Sequence, residues 1–310
     1  MSVSAPVIED DPLPDSPLYH YTDAGGLHGI LGDEALWATH AGYLNDSQEF
    51  VFGIQKVEKA LKLLAEDPPD ELKPASVLDL LTPIRYSLAL SSFAAQLGRA
   101  TVSLRENFGP FVTCLSTSDD QLSQWRGYGK GGGYSIRFNT QKFRESVQRH
   151  DAQHRFVEMR YEKRNDFDPA LREQLIKYLK EVAPYLPSAP VPWLVADLDV
   201  EVRQKIDDIV EPLIDSALNN ATRQKHWGFR EENEYRIIAF GTAHFHTPHE
   251  TGLVPRVKIT FDPGCIEEIM VGPGQHMEGR EYSVRSYIQK HSDRYKHVKV
   301  TSSETPFTGI

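Results

Sequence analysis

The most informative stretch of the sequence is KHWGFREENEYRIIAF, residues 225–240. It begins with charged and polar residues and ends in an apolar run, which predicts a strand entered from a polar loop. Because alternate residues of a strand share a face, we expect Glu232, Glu234 and Arg236 on one face and Asn233 on the other. Two carboxylates and a guanidinium leading into a buried strand are costly unless they have partners. By itself the pattern is most simply an edge strand with a solvated face.

Two other segments carry chemically useful side chains beside short predicted strands. Residues 18–22 predict an aromatic strand that includes His20, and a histidine in that setting is most often a core residue. Residues 121–129 predict a short helical turn with Trp125 and Tyr128, which are more typical of packing than of ligand binding. Further strands are predicted at 35–39, 111–116, 134–138, 157–161, 257–261, 266–272 and 298–300, and a helix at 281–291.

Composition and charge restrict the class of protein. The chain has 310 residues, 40% of them hydrophobic and 25% charged, which is ordinary for a soluble globular protein. Its net charge of −10 excludes a general polyanion binder, although a local basic groove remains compatible with that charge. The two cysteines, Cys114 and Cys265, do not have disulfide or zinc-site spacing. With no signal-peptide pattern and no apolar run of about 20 residues, we expect a cytoplasmic protein.

The order of the predicted elements indicates an α+β fold. Residues 1–16 are acidic and Pro-rich and are expected to form a disordered leader. Residues 17–310 are expected to form a single domain, with short strands contributed by both ends of the chain. Two long helical insertions, at about 50–107 and 168–222, interrupt these strands, and each has apolar residues at helical spacing.

Two alternative sites are weaker. The glycines at 131–133 lack both the Gly-x-Gly-x-x-Gly spacing and the Gly-Lys-Ser/Thr ending, so neither a Rossmann nor a P-loop site is predicted. His244, His246 and His249 are spaced like metal ligands, but no carboxylate or cysteine completes the set. A solvated hairpin is the preferred interpretation there, and a histidine-metal hydrolase is kept as a minority alternative.

Four motifs occur in the order typical of one family: Tyr-His-Tyr-Thr at 19–22, Asn-Asp-x-x-Glu at 45–49, an aromatic turn and Gly-x-x-Ile-x-Phe strand within 125–138, and Trp…Glu-x-Glu-Tyr-Arg at 227–236. Together they resemble a large uncharacterised bacterial family, a domain of unknown function. That family in turn looks like the ADP-ribosyltransferase fold, including toxins that modify nucleic acid. The resemblance implies a split mixed β-sheet carrying the two helical insertions.

The resemblance also implies roles for particular residues. In that fold a His or Arg on the first strand holds the NAD ribose, a central aromatic or Ser segment flanks the nicotinamide, and a late-strand Glu performs the chemistry. Glu234 is therefore implied to be catalytic, with Glu232 accessory. Whether Tyr134 or the Trp125/Tyr128 pair faces the nicotinamide stays open. The residues implied to bind NAD are His20, Tyr21, Thr22, Asn45, Ser116, Trp125, Arg126, Tyr128, Tyr134 and Arg236, with no metal.

The implied chemistry suits these residue types. Breaking the nicotinamide–ribose bond develops positive charge on the ribose, which a neighbouring carboxylate stabilises, while a second carboxylate accepts the proton of the nucleophile. The resemblance thus implies an enzyme that transfers ADP-ribose from NAD to a nucleic acid or protein, or hydrolyses NAD, as a bacterial toxin or phage-defence effector would. The alternative is a non-catalytic ligand-binding or sensor domain in which Glu232 and Glu234 are structural ion-pair partners. The acceptor and the oligomeric state stay open.

Overall fold

The structure is a computed structural model that describes residues 10–44, 56–57, 59–64, 66–67, 70–73, 81–103, 109–129, 132–163, 169–185, 200–250 and 252–306. Contacts within the chain divide it into two compact units. Glu9–Asn45, Phe108–Tyr161 and Trp227–Ile310 form the first, which we call the sheet unit. Met1–Ile8, Asp46–Asn107 and Glu162–His226 form the second, the helical unit.

The strands, in chain order, are β1 Leu18–Thr22, β2 Ala35–His40, β3 Phe111–Ser116, β4 Tyr134–Phe138, β5 Arg155–Glu158, β6 Arg160–Glu162, β7 Gln224–His226, β8 Glu234–Ala239, β9 Phe245–His249, β10 Gly252–Thr260, β11 Ile266–Val271 and β12 Lys299–Ser302. Ten of them form one sheet in the order β12-β11-β4-β1-β3-β2-β10-β9, with β8 between β3 and β5. The β11–β12 pair is parallel and the other pairs are antiparallel. The fold is therefore mixed α/β with a mixed sheet.

The helices are α1 Ala24–Asp33, α2 Leu81–Ser103, α3 Leu122–Tyr128, α4 Thr140–His150, α5 Pro169–Val182, α6 Val200–Arg223, α7 Met277–Lys290 and α8 Ser292–Tyr295. Two of them begin at side-chain caps. Asp23 accepts a 2.8 Å hydrogen bond from the backbone N–H of Gly26 at the start of α1, a typical N-cap. Asn139 accepts one of 3.1 Å from Lys142 at the start of α4. No helix in the described part of the chain is both long and apolar enough to cross a membrane.

Strand β8 is an interior strand of the sheet unit. It pairs with β3 over its whole length and with β5 from Tyr235 to Ile238. All six of its residues are buried, including Glu234 and Arg236. The edge strand with a solvated face is therefore wrong, because both edges of β8 are hydrogen-bonded and both faces are covered. The core of the unit also contains a cluster of rings, in which Phe138 stacks on Phe143 with centroids 4.1 Å apart.

The helical unit contains the described parts of both predicted insertions. Helices α2, α5 and α6 pack on one another through apolar side chains such as Leu175 and Val210. Tyr178 of α5 donates a 3.0 Å hydrogen bond to the carbonyl of Ala89 in α2, and its ring lies 5.4 Å from that of Phe93. These helices therefore share a core within their own unit. A single domain over 17–310 stays a prediction.

Residues 10–16, which the sequence places in a disordered leader, run along strand β5. The Asp10 carboxylate accepts a 2.7 Å hydrogen bond from the backbone N–H of Phe156, and that of Asp11 accepts one of 2.9 Å from Glu158. Tyr235 donates from its hydroxyl to the carbonyl of Pro12 at 2.8 Å. The segment is ordered by these bonds, which a local composition rule does not reveal. Residues 1–9 lie outside the described ranges.

Candidate functional site

The candidate site lies where strands β1 and β3 separate. Strand β3 has one edge that faces both β1 and β2. Along this edge β2 pairs with Phe111 and Val112, and β1 pairs at one position, Tyr19 opposite Ser116. The His20 ring fills part of the gap, since its Nδ1 donates a 2.9 Å hydrogen bond to the carbonyl of Cys114. A side chain thus satisfies a backbone acceptor that a continued strand ladder would otherwise bind.

A pocket at this gap collects residues from distant parts of the chain. Six of the residues predicted for the site line it: His20, Tyr21, Ser116, Tyr128, Glu232 and Glu234. The cavity volume is about 40 Å³. One water molecule needs roughly 10–15 Å³ measured in this way, so the pocket has room for a few water molecules. A nicotinamide ring can enter only when side chains at its mouth move.

Glu234 reaches the pocket because of the sheet register. Ser116 lies opposite Tyr19 on one edge of β3 and opposite Glu234 on the other. The Glu234 carboxylate binds Arg236 through two hydrogen bonds, from Nε to Oε1 at 2.5 Å and from Nη2 to Oε2 at 3.0 Å. These two residues are 3% and 4% exposed, so the predicted catalytic carboxylate is a member of a buried bidentate ion pair.

Glu232 is not on the strand, in contrast to the expectation that it shares a strand face with Glu234. It ends a 3₁₀ helix, Trp227–Glu232, and Asn233 turns the chain into β8 with a left-handed φ of 43°. Ser116 fixes this turn by donating from its hydroxyl to the Glu232 carbonyl at 2.8 Å. Asparagine tolerates the left-handed region better than most residues, so the local sequence suits this turn. Glu232 reaches the pocket from the turn.

Burial lowers the pKa of His20 below its usual value, although the hydrogen bond to the Cys114 carbonyl acts in the opposite direction. A carbonyl oxygen can only accept, so Nδ1 carries the proton in the neutral ring and Nε2 has an available lone pair. No described residue forms a hydrogen bond with Nε2. In this form the ring can accept a hydrogen bond from a ligand hydroxyl group.

The structure distinguishes between the aromatic residues considered for the central role. Tyr128 lines the pocket, whereas Trp125 is 2% exposed and donates from Nε1 to Asp120 at 2.7 Å. The Trp125 ring packs edge-on against Tyr21, with centroids 4.8 Å apart. Tyr134 is buried in the core of the sheet unit. Of these aromatic residues, Tyr128 therefore has the position suited to stack on a ligand.

Other predicted residues do not line this pocket: Thr22, Trp125, Arg126, Tyr134 and Arg236. Asn45 lies outside the described residues. The sequence analysis missed four residues that do line it, Tyr19, Cys114, Leu115 and Gln124. Gln124 is one helical turn before Tyr128, and residues four apart share a helix face, so this spacing could have identified it.

The histidines considered as metal ligands do not form a metal site with other residues. Within the described ranges, no group of three or more His, Cys, Asp or Glu residues is arranged to hold a metal ion. The His244 ring instead accepts a 3.2 Å hydrogen bond from the backbone N–H of Lys258. The histidine-metal hydrolase is thus unsupported in the part of the chain that the structure describes.

A larger cleft of about 660 Å³ adjoins the turn that carries Glu232 and Asn233. Trp227 and Tyr161 are among its lining residues. Glu234 lines both this cleft and the smaller pocket that contains His20. The start of β8 therefore separates two cavities of very different size.

Comparison with known proteins gives one match. Residues 124–237 match the model of a family described as "Protein of unknown function (DUF2971)". This segment begins in α3 at the pocket and ends in β8, so it includes Tyr128, Glu232 and Glu234. No curated protein matches the chain. No solved structure matches it either. The match supports similarity to an uncharacterised family, a domain of unknown function.

Proposed function

We propose that the protein binds NAD at the pocket where β1 and β3 separate and cleaves the nicotinamide–ribose bond. The observation that carries this proposal is that His20 and Glu234, 214 positions apart in sequence, line one pocket at the gap in the sheet. The roles that the family resemblance implies for a first-strand histidine and a late-strand glutamate require this proximity. ADP-ribose would pass to a macromolecule or to water.

The roles follow from the contacts. Nε2 of His20 accepts a hydrogen bond from a ribose hydroxyl, because Nδ1 already donates its proton to the Cys114 carbonyl. The Tyr128 ring, which lines the pocket, stacks on nicotinamide once the pocket has opened. Glu234 stabilises the positive charge that develops at the ribose carbon. The nicotinamide leaves with the electron pair of the broken bond. The nucleophile of the acceptor, or water, then forms a bond to the same ribose carbon and loses its proton to Glu232.

A non-catalytic ligand-binding or sensor module is the second candidate, and two observations bear on the choice. Both carboxylate oxygens of Glu234 bind Arg236, and the pocket volume is about 40 Å³. Ligand pockets generally have volumes of roughly 300–1,000 Å³, so ligand binding requires the pocket to open in either candidate. The pairing of Glu234 with Arg236 is the observation that favours the second. The second candidate predicts a protein with no NAD turnover.

Nicotinamide release from NAD by the purified protein separates the candidates. We expect turnover in the wild type and a loss of about 10²–10³-fold in Glu234→Gln. Glu232→Gln should reduce transfer to an acceptor more than NAD hydrolysis. Glu231→Gln, an exposed change in the same turn, is the matched control and should retain activity. A folded wild-type protein that releases no nicotinamide would contradict the enzymatic proposal, and NAD binding measured by calorimetry would then test the sensor alternative.

A further inference from the structure

The 660 Å³ cleft of the sheet unit is large enough for a ligand without rearrangement. Met159 and Tyr235 lie at its base and are only 4% and 1% exposed, whereas Pro12 and Trp227 line it with exposed side chains, and the segment around Pro12 and Pro14 forms part of its wall. That segment is fixed in place, because the Tyr235 hydroxyl donates to the Pro12 carbonyl at 2.8 Å. The cleft is thus preformed, and a ligand loses little binding free energy in ordering it.

An aromatic ring at the cleft already contacts a cation. The guanidinium carbon of Arg230 lies 5.0 Å from the centroid of the Trp227 ring, within the range of a cation–π contact. Trp227 is 44% exposed, so part of the indole surface faces solvent. The best aromatic acceptor for a cation therefore lines a surface cleft, with enough exposed area to contact a further planar cation or an aliphatic stem.

The charges at the cleft are mainly acidic. Asp15 and Glu158 line it, and both side chains are exposed. Neither forms an ion pair with any residue in the described ranges. The third carboxylate, that of Glu234, is neutralised by Arg236. Against these groups, Arg230 is the single cation among the lining residues that the structure describes. The resulting field attracts a cationic ligand and opposes a nucleic-acid phosphate backbone.

We propose that this cleft binds a basic segment of a partner polypeptide, in which an Arg or Lys side chain pairs with Asp15 and Glu158 while adjacent apolar side chains pack on Trp227 and Pro12. The segment lies beside Glu234, because that residue lines the cleft as well as the pocket. Its identification as the ADP-ribose acceptor rests on the proposed function, whereas its binding does not. The partner is accordingly a protein and not a nucleic acid.

Fluorescence anisotropy with a short labelled peptide that alternates Arg and Leu tests the binding. We expect saturable binding that weakens as salt is added, because the carboxylates and the peptide are exposed to screening. Asp15→Asn combined with Glu158→Gln should raise Kd by at least about tenfold, since two charge-assisted contacts are lost. The matched control is Glu250→Gln, an exposed carboxylate on the turn between β9 and β10, which should leave Kd unchanged.

Two further probes complete the test. A peptide with Glu in place of Arg should not bind, and neither should a labelled single-stranded oligonucleotide. Unchanged peptide binding in the folded double variant, or tighter binding of the oligonucleotide than of the peptide, would overturn the proposal. Peptide binding without NAD turnover would leave this inference standing and remove the proposed enzymatic function. NAD turnover without peptide binding would overturn this inference and leave the proposed enzymatic function standing.

Discussion

Arg236 holds both carboxylate oxygens of Glu234 within strand β8, with its Nε 2.5 Å from Oε1 and its Nη2 3.0 Å from Oε2. The two residues are separated by one position, so they share a strand face. Both are nearly inaccessible to solvent. The residue that the family resemblance marks as catalytic therefore has a structural partner, and its substitution affects stability as well as any chemistry.

The first prediction concerns this ion pair. Arg236→Met should lower the free energy of unfolding by about 3–5 kcal/mol, because it removes the bidentate partner of a buried carboxylate. Glu234→Gln should also destabilise the protein, since the buried Arg236 guanidinium then loses the negative charge of its bidentate partner. Urea denaturation of the single variants and the double variant gives the coupling energy. If the two losses simply add, the two side chains do not interact energetically.

The second prediction uses the lowered pKa of His20, which burial causes. The folded state binds a proton at His20 less readily than the unfolded state, so its contribution to stability is present above the unfolded pKa of about 6.5 and is lost as pH falls through the folded pKa. His20→Gln should therefore lose less thermal stability than the wild type on acidification below about pH 6.5. Melting curves of both proteins are measured over this pH range. An equal loss of melting temperature in the two proteins would contradict the prediction.

The third prediction concerns Asp120, which ties the C-terminal segment to the helix that carries Tyr128. One carboxylate oxygen accepts from Trp125 at 2.7 Å and Ser303 at 2.5 Å, and the other from the backbone N–H of Glu304 at 2.8 Å. Asp120→Asn replaces an acceptor by a donor, so at least one donor loses its partner. We expect a loss of about 1–3 kcal/mol in the free energy of unfolding, measured by urea denaturation.

The pH dependence of the Asp120→Asn variant provides a second test of this prediction. Burial alone raises the pKa of Asp120, but hydrogen bonds from Ser303 and Trp125 outweigh this and lower it below its usual value. The stability it contributes is therefore present above the unfolded pKa and lost as pH falls through the folded pKa. The difference between wild type and Asp120→Asn should shrink in acid. Asp119→Asn, at the exposed neighbouring position, should cost much less, and an equal cost would contradict the assignment.

The fourth prediction compares two glycines near the pocket. A Cβ on Gly133 would lie 2.5 Å from both the Cα of Gly129 and the carbonyl oxygen of Thr22, so Gly133→Ala should cost about 1–3 kcal/mol. A Cβ on Gly127, within α3, would meet nothing within 4 Å. Gly127→Ala should stabilise the protein by about 0.5–1 kcal/mol, because alanine favours a helix. Thermal melting of the two variants checks these predictions. An unchanged melting temperature in Gly133→Ala would show that the backbone around Gly133 can move apart to make room for the Cβ.

Local pattern alone determined several elements of this protein. The predicted strands at 18–22, 111–116 and 134–138 agree with β1, β3 and β4, and Asp23 caps α1. Alternation of apolar residues, aromatic content and a capping side chain act over a few residues, so a sequence reveals them directly. The motif order also predicted similarity to an uncharacterised family, and the match over 124–237 supports that similarity.

Tertiary structure alone decided which side chains meet. Pairing of β8 with both β3 and β5 buried Glu234 and joined it to Arg236, and the end of β8 placed Glu232 on a turn. Packing of α3 on β1 placed Tyr128 at the pocket, and pairing of β4 with β1 and β11 left Tyr134 in the core. These outcomes depend on hydrogen bonds between strands more than 100 residues apart in sequence, such as β3 and β8. A strand's sequence sets which residues share a face, but its neighbours determine whether that face is buried, paired or open to a ligand.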